Sequence, residues 1–88
     1  MSQKNVEIYT WRTCPYCQRA KSLLDSKGVQ YTEYSIDGDE EARAKMSERA
    51  GGRRTVPQIF VGNDHHVGGC DDLYALESAG KLNDLLGL

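Results

Sequence analysis

No run of apolar residues in this chain approaches the ~18 residues that cross a bilayer. The opening residues, Met1 to Val6, are polar and lack the apolar stretch of a secretory signal. A protein of the reducing cytosol, without a membrane partner, is therefore expected. Cysteine is scarce: there are three, an odd number, and two of them sit together at Cys14 and Cys17. Such a set does not staple a disulfide scaffold. Charge of one sign is missing too. Eleven basic against thirteen acidic side chains leave a net charge of −2, interspersed, with no basic stripe for nucleic acid. Repeats, linkers and low-complexity tracts are absent from the sequence. Eighty-eight residues read as one small domain over 1–88.

What is present is Thr13-Cys14-Pro15-Tyr16-Cys17, where a strand-like run meets a helix-like one. Residues three apart on a helix are neighbours at roughly 5–6 Å, so slight tightening lets the two sulfurs bond. Pro15 suits the first helical position, which has no use for its N–H. Cys14 then lies just outside the helix and Cys17 within its first turn. Unpaired N–H groups at a helix start carry partial positive charge and favour an anion. A thiol held there is favoured as its thiolate, the nucleophilic form. We read Cys14 as the nucleophile and Cys17 as the thiol that resolves a mixed disulfide. The bland alternative is half a zinc site, which needs two further ligands that only Cys70, His65 and His66 could supply.

The chain in order reads as one α/β unit. Val6 to Thr10 alternates as a first strand. A helix from Pro15 presents Cys17, Ala20, Leu23 and Leu24 on one face and stops at Gly28. Val29 to Ile36 reads as a second strand, parallel to the first by a right-handed crossover. Asp37-Gly38-Asp39 is a turn into a helix with Glu40 and Glu41 in its first turn. Ala42, Met46 and Ala50 make that helix only weakly apolar, so loose surface docking is expected. Gly51-Gly52 ends it. Pro57 to Val61 and His65 to Val67 form a hairpin about a turn at Gly62-Asn63-Asp64, and His65 and His66 are read as strand residues. Cys70-Asp71-Asp72 opens a helix with Leu73, Leu76 and Ala79 inward, ended by Gly80. Leu82, Leu85 and Leu86 belong to a short terminal helix. Helices on both sides of a small mixed sheet describe an α/β sandwich.

Two further stretches carry candidate chemistry. In Thr55-Val56-Pro57 the proline opens a strand. A cis bond there would turn the Val56 N–H and C=O outward to recruit an extended peptide; an ordinary trans proline is the equal alternative. In Gly68-Gly69-Cys70-Asp71-Asp72, helix-start N–H groups can hold a carboxylate and a side-chain carboxylate an ammonium. Together they would grip an α-amino-acid end, unless Asp71 and Asp72 are simply caps. Arg53 and Arg54 can supply a second carboxylate clamp or stay solvated. Cys70 reads most simply as a small buried thiol, and Tyr16 as either a groove wall beside Cys14 or a partly exposed helix residue.

With all three motifs placed, the chain resembles a dithiol glutaredoxin of the small bacterial type, over essentially its whole length. That resemblance implies a thioredoxin-like fold: a four-stranded mixed sheet in the order 2-1-3-4, flanked by helices on both faces, with Pro57 cis. It implies glutathione as co-substrate and no permanently bound cofactor or metal. Glutathione would touch Arg12, Tyr16, Arg53, Thr55, Val56, Pro57, Gly69, Cys70, Asp71 and Asp72. Val56 would pair with its cysteinyl unit, the helix start at Cys70 to Asp72 would take its γ-glutamyl end, and Arg53 its glycyl carboxylate. Many family members carry lysine three residues before the nucleophile. Here Trp11 stands there, with Arg12 beside it. Disulfide-containing or glutathionylated proteins are the implied substrates, and a monomer is expected. The rivals are a thioredoxin-like reductant fed by a reductase protein and a carrier of a [2Fe–2S] cluster. The choice of reductant and a brown colour, respectively, distinguish them.

Overall fold

The structure, a computed structural model, describes residues 4–62 and 65–88. Strand β1 (Val6–Thr10) leads into helix α1 (Pro15–Ser26), then β2 (Thr32–Ser35) and α2 (Glu40–Arg49). Strands β3 (Gln58–Val61) and β4 (His65–Gly68) precede α3 (Cys70–Ser78) and α4 (Leu82–Leu86). The sheet order is β2-β1-β3-β4, with β1 parallel to β2 and antiparallel to β3. The predicted mixed sheet and its strand order are therefore found. The predicted turn falls partly on residues 63 and 64, outside the described residues.

Alternation along β1 and β3 sorts their side chains to two faces. Val6, Ile8, Ile59 and Val61 meet Ala20 and Leu24 of α1, Leu73 of α3, and Leu82 and Leu86 of α4 in one buried cluster. Tyr9 and Phe60 face the other way, against Met46, Ala50 and Ile36. Truncating a fully buried side chain such as Leu24 to alanine costs ~2–5 kcal/mol. Helix α2 adds a polar anchor to its narrow apolar stripe. The Arg49 guanidinium lies 4.1 Å from the Phe60 ring centroid and donates to both Glu7 carboxylate oxygens at 2.9 and 3.2 Å.

The structure corrects two sequence expectations. The second strand is shorter than 29–36. The Val29 N–H turns back to the Leu24 carbonyl at 3.2 Å, so Val29 belongs to the stop of α1, while Ile36 adds one ladder bond to Thr10 at 2.9 Å before the chain turns away. Ala79 is exposed, not inward. Each three-residue step falls roughly 60° short of a full turn, so two steps carry Ala79 off the face that buries Leu73.

Candidate active site

Helix α1 begins with its own sulfur. Cys14 is the N-cap, extended at φ −97° and ψ 111°. Its Sγ accepts the Cys17 N–H at 3.3 Å. A cap that is often serine or aspartate is here a thiol, so a sulfur accepts an otherwise unpaired helix amide. Pro15 occupies the first helical position, and the Gln18 N–H makes the first helical bond, to the Cys14 carbonyl, at 3.1 Å. The Cys14 thiol can donate to the Val56 carbonyl at 3.8 Å, which joins the β1–α1 loop to the start of β3. Cys14 is half-buried and Cys17 fully buried. Burial, with the hydrogen bond to the Cys14 side chain next, pushes the Cys17 thiol up to about 12. At neutral pH one of the pair is built to stay protonated.

The Val56–Pro57 peptide is cis, as the resemblance implied. Beside it runs a groove of about 170 Å³ lined by Tyr16, Arg53, Thr55, Val56, Pro57, Gly69, Cys70, Asp71 and Asp72. All the residues predicted to hold glutathione are thus gathered there except Arg12. The Arg12 backbone N–H donates to the Asp37 carboxylate at 3.0 and 3.2 Å, and its side chain, 84% exposed, reaches Asp37 at 4.0 Å. Arg12 therefore contacts Asp37 and does not line the groove. Arg54 pairs with Glu40 and does not line the groove either. Tyr16 is 55% exposed, a ring standing free on the groove wall.

The far end of the groove is the start of α3. Asp72 accepts the Gly69 N–H at 2.9 Å and Arg53 Nη1 at 3.2 Å. The Gly69 amide first, and then Arg53, hold its carboxyl below the usual carboxylate range. The backbone before this helix favours glycine at Gly68, because its φ is positive. A Cβ on Gly68, whose φ is +115°, would sit 2.3 Å from Asp72 Oδ2. Cys70 is buried, as expected, and burial pushes its thiol up.

One supporting pair was not foreseen. Gln58, fully buried in β3, donates to the Thr55 carbonyl at 3.0 Å and hydroxyl at 3.2 Å. Its Oε1 meets His66 Nε2 at 2.6 Å. With the Gln58 amide nitrogen committed to Thr55, its oxygen is the acceptor, so His66 Nε2 carries the hydrogen. His66 stacks on Phe60 with centroids 5.0 Å apart. The pair braces the Thr55–Pro57 wall from behind. A buried glutamine in a strand is the only sequence signal for it.

A thiol capping a helix, a buried thiol three residues on, and a cis-proline wall on a thioredoxin-like sheet define the class of thiol–disulfide oxidoreductases. The glutaredoxin family model matches residues 6–67, and the chain belongs to the glutaredoxin family. It is 60% identical over 82 residues to glutaredoxin 3 of Escherichia coli strain K12, covering 93% of this chain and 96% of that protein. A probable glutaredoxin of Synechocystis is 62% identical over 81 residues, covering 92% and 91%. Among solved structures, the glutaredoxin of Brucella melitensis superposes with a TM-score of 0.84 at 56% identity, covering 98% and 91%. A buckwheat glutaredoxin–glutathione complex gives 0.85 at 30% identity, covering 96% of this chain and 77% of that one.

Proposed function

We propose that this protein, acting as a single domain, reduces protein–glutathione mixed disulfides and protein disulfides with glutathione as the electron donor. The observation that carries the reading is the adjacency of the Cys14 cap to the groove, with Val56 touching both. Glutathione lies extended along that groove. Its cysteinyl backbone pairs with Val56, its γ-glutamyl carboxylate takes free N–H groups at the start of α3, and its ammonium approaches Asp72. Its glycyl carboxylate meets Arg53, while Tyr16 covers the chain. Arg53 and Asp72 are paired to each other at 3.2 Å, so in this reading the exposed Arg53 side chain swings away from Asp72 to meet the glycyl end of the extended peptide.

The chemistry has two routes. In the first, the Cys14 thiolate attacks the glutathione sulfur of a mixed disulfide, and the target protein leaves as a thiolate. A second glutathione then attacks that sulfur, forming glutathione disulfide and returning Cys14 as a thiolate. In the second, Cys14 attacks a protein disulfide, and Cys17 loses its proton and attacks Cys14. The substrate leaves reduced, and two glutathiones then reduce the Cys14–Cys17 bond. Once Cys14 is in a mixed disulfide it bears no charge, so it no longer opposes formation of a Cys17 thiolate by repulsion, and Lys21 favours that thiolate. Stabilising the Cys14 thiolate serves both routes, since a better leaving thiol departs faster. The protein works as a monomer in the reducing cytosol, where a Cys-x-x-Cys pair is catalytic and not a structural staple.

Cys17→Ser tests the division of labour. The variant keeps turnover of a glutathionylated substrate and loses reduction of a protein disulfide when glutathione consumption is followed with each. Loss of both activities in a folded variant overturns it. Equal turnover with a thioredoxin reductase in place of glutathione overturns the choice of reductant.

A further inference from the structure

The second thiol faces an obstacle that the groove does not remove. Cys17 is fully buried, and it must become an anion before it can attack. A charge in apolar surroundings is costly unless a partner of opposite sign stands beside it. Burial opposes the Cys17 thiolate most, and Cys14 opposes it next. A hydrogen bond with the Trp11 backbone and the Lys21 ammonium work in its favour. The charged or titratable groups that act on this sulfur are thus Cys14 and Lys21, both of its own helix, while Glu33 of β2 acts on Lys21.

The helix itself places Lys21. It follows Cys17 by four residues in α1, which puts the two on one face. A helical side chain leans back toward the N-terminus, here over the turn that holds Cys17. The Lys21 side chain is 19% exposed, so most of its stem is covered. Its Nζ donates to Glu33 Oε2 at 3.0 Å. The same carboxylate oxygen accepts the Thr10 hydroxyl at 2.6 Å, and Thr10 is fully buried at the end of β1, next to Trp11. The Thr10 hydroxyl first, and Lys21 after it, outweigh burial and hold the Glu33 carboxyl below the usual carboxylate range. A surface ion pair contributes little to stability. This one has a covered lysine stem, a buried threonine behind it and a thiol one turn away.

We propose that Lys21 is a positioning residue for the resolving step: its ammonium, held by Glu33, offsets the charge that forms on the Cys17 sulfur as the proton leaves. In that step Cys17 gives its proton to water and the Cys17–Cys14 bond forms. The bond from Cys14 to the substrate sulfur breaks, and the departing thiolate takes up a proton. Two electrons pass from the cysteine pair to the substrate disulfide, and Lys21 keeps its own protons throughout. This rests on Cys14 attacking and Cys17 resolving. It adds a residue that serves the second route alone, because the first never ionises Cys17.

The test isolates that step. Reduced protein is mixed with saturating glutathione disulfide, which leaves glutathione on Cys14, and closure of the Cys14–Cys17 bond is followed by intact mass after acid quench. In Lys21→Met, which keeps the stem without the charge, closure at pH 7 slows about threefold: a roughly tenfold smaller thiolate fraction is partly offset by the greater nucleophilicity of a more basic sulfur. Lys21→Arg, which keeps the charge, closes as fast as the intact protein. On a Cys17→Ser background, adding Lys21→Met leaves turnover of a glutathionylated peptide where Cys17→Ser alone puts it. Unchanged closure in Lys21→Met overturns the proposal. So does a Lys21→Arg variant as slow as Lys21→Met, which would make shape and not charge the cause. A further loss on the Cys17→Ser background also overturns it, since Lys21 would then act on Cys14. Failure of glutathione disulfide to react with Cys14 would remove the proposed nucleophile itself, a failure distinct from these.

Discussion

Helices α1 and α3 both start with a cysteine at the edge of the same groove, and they treat it in opposite ways. At α1 the cysteine is the cap: Cys14 stands outside the helix, its sulfur accepts the Cys17 amide, and solvent reaches it. At α3 the cysteine is one residue further in. Gly69 takes the cap position, Cys70 is buried at the first helical residue, and burial works against its thiolate. The Gly69 amide goes to the Asp72 carboxylate instead. A one-residue shift relative to the helix start thus separates the sulfur we propose as the nucleophile from a sulfur used as packing. The helix dipole is common to both and does not decide between them.

Exchanging serine for each cysteine is the sharpest way to break that comparison. Cys14→Ser should lower glutathione-dependent turnover of a mixed disulfide by at least ~10³-fold, because a hydroxyl does not replace an attacking thiolate. Cys70→Ser should leave the same rate within about twofold, its cost appearing as a lower melting temperature from a buried hydroxyl. Stopped-assay rates and thermal unfolding on both variants check the pair. A large loss of rate in folded Cys70→Ser would make the second helix start chemical as well.

Asp72 sharpens the comparison from the other side, since it is the group that fills the α3 start. Asp72→Asn keeps an oxygen for the Gly69 N–H but removes the charge that faces Arg53 and a ligand ammonium. Asp72 is 47% exposed, so solvent weakens its pairings. The expected result is a rise of about fivefold in the KM for glutathione, ~1 kcal/mol, with kcat retained. An unchanged KM would leave Asp72 as a cap and nothing more.

The parts of this molecule that were legible in the sequence are those whose partners lie a few residues away. Pro15, Gly28, Asp39, Gly51 and Gly80 punctuate helices by local backbone rules, and Cys14 acts as a cap on a residue three positions on. The groove was legible for a second reason: most of its walls come from three short motifs, each a moderate signal alone and a strong one together. What stayed hidden depends on meetings across the fold. Gln58 and His66 are neighbours only once β3 and β4 pair, and Lys21 reaches Glu33 only once β2 lies beside β1. Ala79 was misplaced because a three-residue spacing drifts around a helix, and the Arg12–Asp37 contact was hidden because 25 residues separate the two in sequence.

Arg12 supplies the smallest of the expected effects. The resemblance placed it in the groove, standing in for the lysine that many relatives carry where this chain has Trp11. The structure gives it to Asp37, through its backbone N–H more firmly than through its mostly exposed guanidinium. Since alanine keeps that backbone bond, Arg12→Ala removes only a 4.0 Å surface ion pair, which is worth at most ~1 kcal/mol. The KM for glutathione should therefore change by less than about twofold, in a titration at low salt where any long-range attraction is largest. A shift as large as that of Asp72→Asn would mean that Arg12 leaves Asp37 when glutathione arrives. The β1–α1 loop would then contribute a ligand contact as well as the nucleophile.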